Sequence, residues 1–98
     1  MSDRLKKIFS SKEPKTKFIA YFVGCHPTYK KSLEIIKQSI DNGVSIIEIG
    51  YSTSEASAEG PIIKAAQDRV IANGSSLKDV INLAKEVRDY NNNVGIIL

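Results

Sequence analysis

Val44 to Gly50 reads V-S-I-I-E-I-G, an apolar run with a single carboxylate, Glu48, set inside it. A short apolar run ending in glycine has the pattern of a strand packed on both faces. Strands of that kind belong to parallel sheets covered by helices. The flanks agree with this. Leu33, Ile36 and Ile40 recur at helical spacing ahead of the strand, with Ile35 beside them. Thr28 is placed to cap that helix, and Gly43 to close it at the C′ position, where positive φ is wanted. The second strand is therefore expected over Val44 to Ile49.

The same reasoning extends along the chain. Residues 2–10 fit a short amphipathic helix capped by Ser2, with Leu5, Ile8 and Phe9 on one side. Lys12 to Lys17 is a polar connection containing Pro14. Phe18 to Val23 is expected to be a buried strand ended by Gly24. Pro61 suits a first helical turn, Ile62, Ala65, Ala66 and Val70 the buried face, and Asn73-Gly74 the end of that helix. Ser76 and Asp79 have capping-box spacing. Leu77, Val80, Ile81, Ala84 and Val87 mark a further helix to about Tyr90. After the turn at 91–93, Val94 to Leu98 begins a third strand, inside which the chain stops.

The order α, β, α, β, α, α, β implies parallel strands joined by right-handed crossovers. An open doubly wound sheet and a (β/α)8 barrel both accommodate it. A Gly-x-Gly-x-x-Gly turn after the first strand would favour the open sheet, and V-G-C-H-P-T-Y-K-K lacks one. A barrel takes about 250 residues, so 98 residues with three strands would be its N-terminal portion. Residues 1–98 are thus expected to form one partial barrel domain: a leading helix and the first βα units, ending in strand three.

Composition excludes several classes. No apolar run approaches the ~20 residues that span a bilayer. The opening M-S-D-R-L-K-K-I-F has no signal-peptide core, so the cytoplasm is expected and no membrane partner. The lone Cys25 rules out an intrachain disulfide and a Cys-rich metal site. A metal or nucleophile reading of Cys25 and His26 has no further His or Cys to support it, against a small buried thiol and a loop imidazole. Residues 1–31 hold eight Lys or Arg against two acids, and residues 32–98 six against nine. The basic third is read as a solvated helix face and loop, because it lacks the interleaved aromatics on which bases stack.

Glu48 is the second-last residue of its expected strand. Alternation puts Ile46 and Glu48 on one face and Ile47 and Ile49 on the other. In a barrel the isoleucines suit the helix-covered face, and Glu48 points into the mouth at the end that carries chemistry. A carboxyl group short of water there suits giving and taking protons. The structural alternative is a buried Glu paired with a base. Glu59 lies just before Gly60-Pro61, where an acid favours the helix dipole; spacing alone reads it as a capping residue.

S-L-E-I-I-K-Q-S-I-D-N-G-V-S-I-I-E-I-G (32–50), then Ser54 and A-E-G-P-I-I-K-A-A-Q-D-R (58–69), resembles the α subunit of tryptophan synthase. So do R-L-K-K-I-F and F-I-A-Y-F-V-G (18–24). The resemblance covers essentially the whole chain. It implies a (β/α)8 TIM barrel whose extra N-terminal helix, matching residues 2–10, plugs the bottom. The implied activity is retro-aldol cleavage of indole-3-glycerol phosphate to indole and glyceraldehyde 3-phosphate, a lyase step in tryptophan biosynthesis. By the same resemblance Glu48 is the acid/base, Glu59 holds the indole N–H, and Tyr21 lines the indole pocket. No cofactor is implied on this chain. Pyridoxal phosphate belongs to the β subunit, the implied partner in an α2β2 complex, which receives indole through a tunnel.

The departures are specific. The family loop reads P-F-S-D-P, a hydrophobic residue, then A-D-G-P; here Ser52 to Pro61 lacks both prolines before Gly60, has Thr53 for the Phe, and has Glu55 and Glu59 for the aspartates. Cys25-His26-Pro27 replaces G-D-P. The region of Glu55 is where the family touches its β partner. Phosphate-binding loops after strands seven and eight are not among these residues, so the 98 residues alone are expected to be inactive. The alternative reading is a degenerate, non-catalytic relative that only binds or stabilises a partner. An unrelated α/β or basic nucleic-acid-binding module is a third.

Nucleic-acid binding is expected to be absent. A gel shift at physiological salt, with log affinity falling steeply against log salt, would contradict the reading of Lys6, Lys7, Lys12, Lys15 and Lys17 as solvated.

Overall fold

In a computed structural model of the protein, which describes residues 3–13, 16–54 and 59–98, the most apolar strand is the central one. The elements are α1 (Asp3–Ser10), β1 (Ile19–Val23), α2 (Tyr29–Asp41), β2 (Ile46–Gly50), α3 (Pro61–Ala72), α4 (Leu77–Tyr90) and β3 (Gly95–Ile97). The sheet order is β1-β2-β3, all parallel. Register sets Ile19 beside Ile46 and Tyr21 beside Glu48 on one side of β2, and Ile46 beside Gly95 on the other.

Alternation then sorts the two faces. Ile47 and Ile49 enter the core with Ile36 and Ile40 of α2, Val70 of α3, and Val80, Leu83 and Val87 of α4. Ile19, Tyr21, Ile46 and Glu48 take the opposite face. At the start of the strands that face is covered by α1: any side chain at Gly95 would strike Leu5, Ile8 and Ile46. Arg4 Nε fastens α1 by donating to the Asn92 carbonyl at 2.8 Å. The N-terminal helix thus covers the bottom of the sheet, as expected.

The helix ends follow the local signals. Thr28 caps α2, its hydroxyl accepting from the Lys31 N–H at 3.2 Å. Gly43 and Gly74 follow α2 and α3 with φ of 101° and 79°, the left-handed region that glycine enters without Cβ strain. The Ser76 N–H donates to Asp79 Oδ2 at 2.8 Å. The expected cap Ser2 lies outside the described residues. Side chains stitch α2 to α4: Tyr29 donates to Glu86, Tyr90 donates to Asp41, and Lys37 sits 5.0 Å from the Tyr90 ring centroid.

Several expectations need correction. β2 runs Ile46–Gly50 rather than Val44–Ile49, so Glu48 is its middle residue. β1 starts at Ile19, and Phe18 and Ile19 are exposed, because β1 is an edge strand whose outer face lacks a neighbour. β3 is limited to Gly95–Ile97. In α3, Ile62 is 84% exposed and Ala65 also faces out, while Ile63, Ala66, Gln67 and Val70 turn inward. Both sets have helical spacing and share Ala66 and Val70, so the buried face is turned by less than the ~100° of one residue. In α4 the inward face uses Leu83, and Leu77 and Ile81 are exposed.

β1 and β3 are open edges with apolar neighbours: Phe18 is 64% exposed and Leu98 67%. Unpaired edges of this kind recruit further strands. Residues 1–98 alone should show concentration-dependent association in sedimentation velocity, weakened by Ile19→Lys. A monodisperse monomer with a cooperative melt would contradict this.

Candidate active site

Tyr21 and Glu48 are neighbours because β1 and β2 pair in parallel with those residues in register. Both leave the sheet on the face away from α2 and α4. Glu48 is half-buried. The Tyr21 ring leans over β2 toward the strand end, and its hydroxyl occupies the space that a side chain at position 50 would fill. Gly50 is therefore required by the close approach of a phenol.

Glu59 reaches the same place from the other side of the loop. Gly60, with φ of 99°, is the N-cap of α3, and Pro61 stands in its first turn. Glu59 is thus not the N-cap that spacing suggested. Its carboxylate instead accepts the Tyr21 hydroxyl. Burial raises the Tyr21 pKa above the ordinary 10.0, and the charges of Glu59 and Glu48 and the bond to Glu59 raise it further. Register sets Glu48 beside Tyr21, and the hydrogen bond ties Glu59 to the phenol. Sequence reasoning chose Tyr21, Glu48 and Glu59 separately, and the structure brings all three together.

The extra helix α3 positions Glu59. Its C-terminal end is tied to the β1–α2 loop where Asn73 Nδ2 donates to the Pro27 carbonyl at 2.9 Å. Pro61, Ile62, Ala65 and Ala66 line a shallow hollow with His26. Cys25, the residue before His26, is fully buried and takes φ of 69°, rare for a residue with a Cβ. Its N–H donates to Ser32 Oγ at 3.1 Å. Burial and then the Asp79 charge push the thiol pKa up, while a hydrogen bond with Ser75 acts the other way. This is the small buried thiol of the structural reading.

Among the described residues, no group of three His, Cys, Asp or Glu side chains could hold a metal ion, and no helix is long and apolar enough to cross a membrane. His26 Nε2 and Ser52 Oγ are buried without a hydrogen-bond partner there. Sequence reasoning had assigned Ser52 and Gly50 no part in the site. Gly50 could be found only from register. Glu55, the expected partner contact, lies outside the described residues. A groove of about 730 Å³ between α1 and the start of the strands, lined by Arg4, Lys7 and Asn92, is at the opposite end from Glu48.

The family model described as tryptophan synthase alpha chain matches residues 9–98. The chain belongs to the tryptophan synthase alpha chain family. It is 30% identical over 95 residues to a tryptophan synthase alpha chain of Neisseria meningitidis, covering 97% of this chain and 36% of that relative. A Haemophilus influenzae tryptophan synthase alpha chain is 37% identical over 71 residues, 72% of this chain and 26% of that one. In three dimensions, a structure from Aquifex aeolicus superposes with a TM-score of 0.90 at 28% identity, over 97% of this chain and 38% of that one. The chain therefore spans about a third of the length of its tryptophan synthase alpha relatives. Its three parallel strands and helices are the N-terminal portion of the TIM barrel, which decides between the two sheet architectures that the element order allowed.

A buried, raised thiol is a poor nucleophile. Cys25 should react with a thiol-modifying disulfide reagent at pH 7 only as fast as the chain opens, and rapidly in denaturant. Fast labelling of the native chain would contradict this placement.

Proposed function

We propose that the chain supplies the acid/base end of a carbon–carbon lyase that cleaves indole-3-glycerol phosphate to indole and glyceraldehyde 3-phosphate. The observation that carries the reading is that Tyr21 and Glu48, side by side in mid-strand, meet Glu59 through the Tyr21 hydroxyl, which lies over Gly50 at the C-terminal end of β2, the end where barrel enzymes do chemistry. Glu48 in its acid form delivers a proton to the indole ring carbon that bears the glycerol chain. As a carboxylate it then removes the proton of the neighbouring glycerol hydroxyl. The carbon–carbon bond breaks, its electrons return to the ring, and the hydroxyl carbon becomes the aldehyde of glyceraldehyde 3-phosphate. Glu59 accepts the indole N–H and stabilises the positive charge that ring protonation creates. Tyr21 forms a wall of the indole pocket.

In this reading residues 1–98 are one partial barrel domain acting in the cytoplasm. The phosphate clamp comes from loops after strands seven and eight. The proton transfers need only carboxylates, and pyridoxal phosphate belongs to a tryptophan synthase β subunit, the partner in an α2β2 complex.

One set of observations favours a second reading, a non-catalytic relative that only engages a partner. The stretch from Ser52 to Glu59 lacks the family prolines, and Glu59 is one methylene longer than aspartate. A displacement of about 1 Å can cost roughly a hundredfold in rate.

The test is a chimera in which residues 1–98 replace the matching segment of the Neisseria meningitidis relative, assayed for indole release. Activity is expected, with Glu48→Gln lowering kcat at least about a hundredfold while the melt is unchanged. Glu59→Asp should raise kcat by restoring the shorter arm. Undiminished turnover in the Glu48→Gln chimera would sink the assignment, and a folded but inactive chimera would favour the second reading.

A further inference from the structure

We propose that the Tyr21 hydroxyl is the positioning group of this site: it donates to the Glu59 carboxylate and holds it beside Glu48, in a space kept open by the missing side chain of Gly50. The inference rests on the reading of Glu48 and Glu59 as the working carboxylates. It adds a role for the phenol beyond that of an aromatic wall.

Glu59 needs such a group. It is exposed, it sits in a loop rather than a helix or strand, and the next residue is a glycine at positive φ. Tyr21 has the opposite properties. It stands on a strand paired to β2, its ring has only two torsions, and it is held close over Gly50. A phenol fixed in this way can orient a loop carboxylate at small entropic cost.

The chemistry also fits. An ionised carboxylate has about four lone-pair sites. One can take the phenol O–H while others remain for a ring N–H. The phenol stays protonated, because burial and the two flanking negative charges oppose its ionisation. It therefore acts as a donor at neutral pH. Glu48 is its register partner on β2, and Glu59, just ahead of the N-cap of α3, accepts its hydrogen bond.

Gly50 supplies an independent handle. A methyl group there would meet the Tyr21 hydroxyl and the ring carbon that bears it. Gly50→Ala should push the phenol aside while leaving Tyr21, Glu48 and Glu59 chemically intact.

The first experiment uses residues 1–98 with 13C-labelled tyrosine. The chain has four tyrosines, and Tyr21→Phe identifies the resonance. Tyr21 should titrate above the ordinary 10.0. Glu59→Gln should lower its midpoint more than Glu48→Gln does, and Gly50→Ala should also lower it. An exposed control, Glu34→Gln, should leave it in place. A wild-type Tyr21 at the ordinary value, or one indifferent to Glu59→Gln, overturns the proposal.

The second experiment uses the chimera. Tyr21→Phe should lower kcat about tenfold, the size expected for losing a hydrogen bond to a charged group, with KM little changed. Tyr21→Phe and Gly50→Ala remove the same bond, so the double variant should cost no more than the costlier single change. Additive losses overturn the proposal. If Glu48→Gln abolishes indole release and Tyr21 ignores Glu59→Gln, this inference fails and the proposed function stands. If Tyr21 responds in a chimera that releases no indole, the function fails and the positioning contact stands.

Discussion

The parallel pairing of β1 with β2 is the constraint from which the rest of the structure follows. Ile47 and Ile49 are almost fully buried against the helices. At roughly 1.5–3 kcal/mol for each large apolar side chain removed from water, this facing sets two isoleucines against the helices, where the reverse would set Ile46 and the Glu48 carboxylate there. Once they are inside, Glu48 must leave from the other face. The register with β1 then sets Tyr21 beside it. A slip of one residue would bring Ala20 or Phe22 opposite Glu48 and turn the phenol into the helix layer.

The helices secure that register from both ends. At the bottom, α1 presses Leu5 and Ile8 onto the strand starts, which is possible because Gly95 has no side chain. Behind the sheet, α2 and α4 pack on each other and bring the Ile36–Leu83–Val87 layer against β2. At the top, α3 is the extra helix between β2 and α4. Its tie from Asn73 to the Pro27 carbonyl holds it against the β1–α2 loop, and its N-terminal end carries Glu59. The site is thus made by two strands fixed by burial and a third element fixed by its far end.

How much of this was legible in the sequence differs by residue. The helix ends were readable because Thr28, Gly43, Pro61, Gly74 and Asp79 act on backbone groups within a few residues of themselves. The facing of Glu48 was readable because its neighbours Ile47 and Ile49 admit only one burial. The facing of α3 was not, because P-I-I-K-A-A-Q offers two sets one residue apart, and packing on the core chose Ile63, Ala66 and Val70 with Gln67, leaving Ile62 and Ala65 toward the hollow beside His26. Spacing alone read Glu59 as a cap, and its tie to a tyrosine 38 positions earlier in the chain is visible only in the fold.

Local sequence was enough to specify the alternation of helices and strands, the caps and the buried face of the central strand, with Glu48 on the other side. All of these depend on neighbours within about one helical turn or two strand residues. Three further facts had to wait for the assembled fold: Tyr21 lies beside Glu48, its hydroxyl needs a bare Gly50, and Glu59 turns toward the phenol instead of its own helix. Those contacts join residues far apart in sequence, and they exist only once strand register and the docking of α3 have been chosen by burial of the whole core.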